Sequence, residues 1–226
     1  MCNIYYIIKI KMIKIAPSIL AADLIHIKEE VELVDKNGAE YIHIDVMDGH
    51  YVPNITFGAN IVKSLRPVTK KMLDVHLMIS PVAKYIDSFI SAGADIISFH
   101  PEADQTSNKI IKQIQSNNCK AGIAIHPSVK VNDIVNLLEQ IDLVVVMTVI
   151  PGFGGQKFMQ SEVNKIIELN RIRDNQKLNF EIEIDGGIND ETSKICKKNG
   201  ADVLVAGSYI FSKNKENYKT IIDSLR

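Results

Sequence analysis

The sequence predicts a single α/β domain folded as a (β/α)8 TIM barrel, and three observations carry the prediction. First, short β-branched and aliphatic runs alternate along the chain with segments of helical periodicity, the pattern of a parallel sheet with helical crossovers. Second, three segments resemble one another: NGAEYIHID from Asn37, AGADIISFH from Ala92 and NGADVLVAG from Asn199. In each, a glycine suited to the left-handed position after a helix precedes alanine, an acid and an apolar run, which marks a helix-to-strand junction. Third, the intervals between Gly38, Gly93 and Gly200 match about two and about four strand-plus-helix units, so 226 residues hold eight.

The strand candidates are, in order, IKIAPSIL, AEYIHIDVMDG, KMLDVHLM, ADIISFHPE, KAGIAIHPS, DLVVVMTVIPGFGG, FEIEIDGGIN and ADVLVAGSYIF. Helical periodicity fits between them, as in LIHIKEEVELVDKNG, where apolar positions recur at spacings of three and four. An open doubly wound sheet is the competing architecture. It needs a nucleotide-type glycine turn after its first strand, and APSIL supplies none. The barrel is expected over residues 14–226, with residues 1–13 an N-terminal extension.

That extension, with the start of the first strand, reads MCNIYYIIKIKMIKI and is interrupted by Lys9, Lys11 and Lys14, with no small-residue cleavage site after it. It reads as a lead into the first strand; a lipid-surface anchor would have only a few apolar residues to insert. No run approaches the roughly 20 apolar residues that span a bilayer. With 26 basic against 27 acidic residues and a formal charge of −1, no global field steers the chain to nucleic acid or anionic lipid. The three cysteines Cys2, Cys119 and Cys196 are scattered, without metal-knuckle spacing or the density of a disulfide scaffold. A cytoplasmic protein of a reducing compartment is expected.

Side chains alternate along a strand, so His43, Asp45 and Met47 share one face while Ile42, Ile44 and Val46 share the other. The aliphatic set suits the helix layer, which sends the polar set into the barrel, where an unpaired charge costs several kcal/mol. The same rule aligns Asp74, His76 and Met78 in DVHLM, and Glu181, Glu183 and Asp185 in EIEID. Three strands thus deliver His43, Asp45, His76 and Asp185 toward the carboxyl mouth, where barrels of this kind keep their active sites. Two imidazoles and two carboxylates suit a divalent transition metal such as zinc, iron(II), manganese or cobalt. The alternative is a set of polar barrel residues satisfied by hydrogen bonds and salt links. Glu183 lies deeper and reads as a partner of the ligands or a core-layer group, and Asp74 is open in the same way. Met47, Met78 and Met147 also point inward, as core fillers or as a water-excluding lining of the site.

Glycines cluster after the late strands: PGFGG at 151–155, DGG at 185–187 and AGS at 206–208. Glycine lets backbone amides approach an anion, and barrels often bind phosphate with their late loops. Each group alone is also an ordinary turn signal.

With APSIL at the front, HIDVMDGHYVPNITFG, DVHLM, VMTVIPGFGGQKF, EIDGGI and VAGSYIF together closely resemble the ribulose-phosphate 3-epimerase family, in order and from about Lys14 onward. The resemblance implies a (β/α)8 barrel that interconverts D-ribulose 5-phosphate and D-xylulose 5-phosphate in the pentose phosphate pathway through an enediolate. It further implies a homo-oligomer with one divalent metal per subunit. On matching motifs, His43, Asp45, His76 and Asp185 would hold the metal, and Asp45 and Asp185 would exchange protons with carbon 3. Ser18 and His76 would contact the sugar; Gly152, Phe153, Gly154, Gly155, Asp185, Gly186, Gly187, Gly207 and Ser208 would bind the substrate, chiefly its phosphate. Ile150 and His126 depart from the usual pattern, which bears on loop packing. The rival expectations are an epimerase of a six-carbon ketose phosphate such as allulose 6-phosphate, an aldose–ketose isomerase, and a non-catalytic phosphosugar-binding barrel. The two aspartates speak against the last two.

Overall fold

The computed structural model describes residues 12–226, so the extension's residues 1–11, Cys2 among them, lie outside the described residues. Eight parallel strands form one sheet: β1 (Lys14–Pro17), β2 (Tyr41–Met47), β3 (Met72–Met78), β4 (Ile96–Phe99), β5 (Lys120–Ile125), β6 (Leu143–Met147), β7 (Glu181–Asp185) and β8 (Val203–Ala206). The order runs from β1 through β8 down to β2. The ring nearly closes where Ser18 bridges His43 and Glu40 N–H reaches Ile15 O at 3.0 Å. The helices are α1 (Ile27–Lys36), α2 (Ala59–Leu65), α3 (Ile86–Ala92), α4 (Ser107–Gln115), α5 (Val163–Gln176), α6 (Asp190–Lys198), α7 (Ser208–Phe211) and α8 (Tyr218–Ser224). Between β5 and β6 the crossover is a 3-10 run, Val131–Gln140, whose Val131, Ile134, Leu137 and Leu138 are buried.

The two faces of β2 divide as alternation requires: Ile42, Ile44 and Val46 join the outer core beneath the helices. Tyr41 packs inside with Ala16, Ile96, Leu143, Val145 and Val203. At the amino-terminal end the barrel is plugged by charge. Lys14 Nζ donates to Tyr41 Oη at 2.7 Å and pairs with Glu181 at 2.5 Å, and Tyr41 Oη donates to Glu181 Oε2 at 2.6 Å.

The repeated junction has a physical cause. Gly38, Gly93 and Gly200 have φ of 98°, 102° and 107°, the left-handed region that spares a side-chain clash only for glycine. The acid two residues on turns back to cap the preceding strand: Glu40 accepts from Ile15 N–H at 2.8 Å, Asp95 from Leu73 at 2.8 Å and Asp202 from Ile182 at 2.9 Å. An arginine then ties each acid to the glycine carbonyl: Arg226 to Glu40 and Gly38, Arg66 to Asp95 and Gly93, Arg173 to Asp202 and Gly200. The motif therefore satisfies strand-edge and helix-end groups that would otherwise be orphaned.

The first helical segment differs from its periodicity. Asp23 accepts from Ile25 N–H at 3.1 Å and starts a 3-10 turn at Leu24–His26, so α1 proper begins at Ile27. Ile25 is 88% exposed, while Val31 and Val34 of α1 are fully buried. A polar cap that fixes the entry of the chain overrides the apolar spacing of that first turn.

Candidate active site at the carboxyl mouth of the barrel

Register brings the polar residues to one level. Asp45 on β2 stands beside His76 on β3, and Met147 on β6 beside Asp185 on β7. His43 is one layer deeper, beside Asp74. His43 Nε2 lies 3.4 Å from Asp45 Oδ1 and 3.8 Å from Asp185 Oδ2; His76 Nδ1 lies 3.6 Å from each of the same two oxygens. One ligand atom from each of the four residues falls within 4.8 Å of all the others.

These four side chains could hold a metal ion, and the donor chemistry agrees. His43 Nε2 and His76 Nδ1 are buried and have no hydrogen-bond partner, although both face carboxylates. Imidazole nitrogens left unpaired in a protein interior are costly, and a cation between two imidazoles and two carboxylates removes that cost while neutralising charge. The charges around them are strongly coupled. Burial opposes a proton on His43, but Asp45 and Asp74 outweigh it and raise its pKa well above 6.5. His76 is likewise raised to about 9, since Asp185 and Asp45 outweigh its burial. Burial opposes the charge of Asp45 as well, yet His43 and His76 hold its carboxyl below the usual range.

Below this set, His43 Nδ1–H donates to Asp74 Oδ2 at 2.6 Å, because a carboxylate only accepts. Glu183 Oε1 lies 3.4 Å from the same nitrogen. Its carboxyl is pushed up to about 8 by burial and then by the negative charge of Asp74. Asp74 thus orients His43, and its bond leaves Nε2 as the nitrogen turned to the four-residue set.

Above the set an open cavity is lined by Ser18, Asp45, Asp185 and the three methionines Met47, Met78 and Met147. Ser18 Oγ donates to Asp45 Oδ2 at 2.5 Å. The far wall is Gly152, Phe153, Gly154 and Gly155 with Gly186, Gly187, Gly207 and Ser208. Among the described residues no lysine or arginine lines this cavity. His43 and His76 are fully buried behind the aspartates and do not line it. Gly187 has φ of 66°, and a Cβ there would lie 2.5 Å from Phe158 N.

Several residues to which the sequence assigned no part in the site support the loops around the cavity. Thr148 pins the end of β7 by donating to Gly186 O at 2.6 Å. Asn54 Nδ2 reaches Gly152 O at 2.8 Å, and Gln156 Nε2 donates to Ile150 O at 2.6 Å and Phe153 O at 2.7 Å, which folds the 150–156 loop. The half-buried His126 holds a local turn: its Nδ1 accepts from Ser128 N–H at 3.1 Å. Ile150 is half exposed. His100 at the end of β4 touches His76, its Nε2 lying 3.0 Å from His76 Nε2. Burial drives His100 down to about 4, so it is neutral. Cys119 and Cys196 are buried and unpaired, their thiols pushed up to about 12 by burial. No helix of the described residues is long and apolar enough to cross a membrane.

Comparison with known proteins points the same way. Residues 14–211 match the sequence model described as the ribulose-phosphate 3 epimerase family. The ribulose-phosphate 3-epimerase of Bacillus subtilis is 48% identical over 204 residues, covering 90% of this chain and 94% of that protein. The ribulose-phosphate 3-epimerase of Synechocystis is 44% identical over 218 residues, covering 96% of this chain and 94% of that protein. Among solved structures, 3-hexulose-6-phosphate synthase from Salmonella typhimurium superposes with a TM-score of 0.70 at 18% identity, over 95% of this chain and 100% of that one. At that identity it speaks to the barrel fold alone. On a match that spans most of its length, this chain belongs to the ribulose-phosphate 3-epimerase family.

Proposed function

We propose that this chain inverts carbon 3 of D-ribulose 5-phosphate to give D-xylulose 5-phosphate, a step of the pentose phosphate pathway, with Asp45 and Asp185 as the two proton-exchanging groups. The observation that carries the reading is the pair of aspartates at the floor of an open cavity, with carboxylate oxygens near the same two imidazole nitrogens. Inversion requires a proton to leave one face of a carbon and return to the other, so two groups are needed where a same-face transfer needs one. Asp45, held ionised and fixed by the Ser18 hydroxyl, suits the base in the ribulose direction, and Asp185 the acid. In reverse the roles exchange.

His43, Asp45, His76 and Asp185 would hold one divalent cation per subunit. Zinc or iron(II) is the first expectation for a mixed nitrogen and oxygen set, with manganese and cobalt as further options. When bound, it would supply positive charge that lowers the cost of removing a proton next to a ketone. The protein's own share is orientation and exclusion of water: Met47, Met78 and Met147 line the cavity and would surround the reacting carbon with apolar surface. The glycine wall, with Ser208, would take the phosphate through backbone amides, consistent with the absence of cationic side chains among the described lining residues.

The test is a coupled assay on D-ribulose 5-phosphate, before and after chelation, with each metal added back. Asp45→Asn and Asp185→Asn should stay folded, keep measurable metal and lose about 10²–10⁴-fold in turnover. A near-normal rate in either variant, with metal content verified, would overturn the two-carboxylate reading. Allulose 6-phosphate in parallel distinguishes the six-carbon alternative by turnover. The same reading includes a catalytic domain over residues 14–226, a homo-oligomer tested by light scattering, and a cytoplasmic site of action tested by fractionation.

A further inference from the structure

His76 presents two nitrogens to two different neighbours. Nδ1 faces Asp45 and Asp185 at 3.6 Å each, while Nε2 lies 3.0 Å from His100 Nε2. A neutral imidazole carries one proton, and the nitrogen that gives its lone pair to a cation cannot hold it. If Nδ1 is the ligating atom, the ring proton of His76 is on Nε2 and points at His100. His100 Nε2 must then be the bare acceptor, with its own proton on Nδ1. That nitrogen faces Glu102 Oε1 at 3.4 Å and makes no hydrogen bond. Glu102 is itself held by Tyr51, whose hydroxyl donates to Oε1 at 2.8 Å and whose ring packs against His100, tilted by 33° with centroids 4.7 Å apart.

From this geometry we infer that His100 is a positioning residue of the metal centre, an acceptor packed against Tyr51 with its Nδ1 turned toward Glu102, that locks His76 in the tautomer with a free Nδ1. The inference rests on the four-residue metal site proposed above. It makes the two imidazoles opposites: His43 is held through Nδ1 by Asp74 and offers Nε2, whereas His76 is held through Nε2 by His100 and offers Nδ1. It also gives the β4 mouth a role. His100 is fully buried, does not line the cavity and touches no other residue of the metal set than His76 in its hydrogen bonding.

The experiment measures zinc affinity by competition with a chromophoric chelator, on full-length protein stripped of metal, with thermal unfolding of the stripped protein as the check of folding. His100→Phe keeps a ring of similar size without an acceptor and should weaken zinc by about 10–100-fold, the usual cost of losing a ligand's outer hydrogen bond. His100→Gln, whose amide oxygen can accept from His76 and whose amide nitrogen can face Glu102, should recover most of that loss. Zinc affinity equal to wild type in His100→Phe, or equal losses in the two variants, overturns the inference. Should His100→Phe not fold, Glu102→Ala decides: a smaller loss in the same direction supports the relay, and unchanged affinity overturns it. His43→Ala and Asp185→Ala run alongside. Loss of zinc in them with none in His100→Phe sinks the relay alone, whereas wild-type affinity in them sinks the metal site and the relay together.

Discussion

Removing the acid of the third repeated junction should cost more stability than removing that of the second. Asp202 is 3% exposed, accepts from Ile182 N–H at 2.9 Å and is paired with Arg173. In Asp202→Ala the Ile182 N–H is left without that acceptor, at about 1–3 kcal/mol for a buried donor. Arg173 loses its counter-charge but keeps Phe180 O at 3.0 Å, Asn170 Oδ1 at 2.8 Å and Gly200 O at 3.2 Å. Breaking a buried pair costs about 3–5 kcal/mol when the survivor is stranded, so the retained acceptors set the expected total near the low end, about 3 kcal/mol. For a domain of this size that corresponds to roughly 6–12 °C in melting temperature. Asp202→Asn keeps an acceptor for Ile182 and should lose about half as much. Asp95→Ala should also lose less, because the Asp95 side chain is 39% exposed and water replaces its contacts. Calorimetry or urea unfolding of the three variants checks the ranking. A loss below 1 kcal/mol in Asp202→Ala, or Asp95→Ala as severe as Asp202→Ala, would refute the account of the junction as a satisfied buried network.

Three further expectations follow from the site. Asp48 accepts from His50 and Ser80 N–H at 2.8 Å and Tyr51 N–H at 3.0 Å, so Asp48→Ala should cost about 1–2 kcal/mol at neutral pH. Burial opposes its charge, but those three amides outweigh it and hold its carboxyl below 3.8. A depressed folded value means the contribution is complete above that pH and lost as pH falls through the folded value, so the gap to wild type should close on acidification; a gap that widens in acid contradicts this. Gly187→Ala forces an L side chain into φ of 66° and against the Phe158 backbone, and should raise KM for the phosphosugar far more than it changes zinc affinity; unchanged KM would remove Gly187 from the proposed phosphate site. Saturating zinc at about 100 times Kd should add about 2.7 kcal/mol to the stability of the stripped protein and nothing to a His43→Ala, Asp185→Ala double variant, read by denaturant unfolding.

The amino-acid order by itself determined which residues could meet. A period of two along YIHIDVM separates His43 and Asp45 from Ile42, Ile44 and Val46 whatever the rest of the chain does, because pleating is a property of adjacent residues. Glycine followed by alanine and an acid marked three junctions because a left-handed turn is a local demand. The cap those acids provide was not legible, since Ile15, Leu73 and Ile182 sit on neighbouring strands and Arg66, Arg173 and Arg226 arrive from elsewhere. Tertiary structure also decided the depth of each polar group. Barrel stagger puts His43 beside Asp74 and Asp45 beside His76, that register makes Asp74 a partner of His43, and ring closure brings the buried Glu183 of β7 within 3.4 Å of the same imidazole nitrogen. His100 belongs wholly to this second kind of information. Its strand reads as an ordinary buried run, and only the closing of β4 against β3 brings one imidazole within 3.0 Å of another. Local periodicity fixes the face a side chain takes, but the nitrogen it offers is set by neighbours far away in sequence, which exist only once the ring of strands has formed.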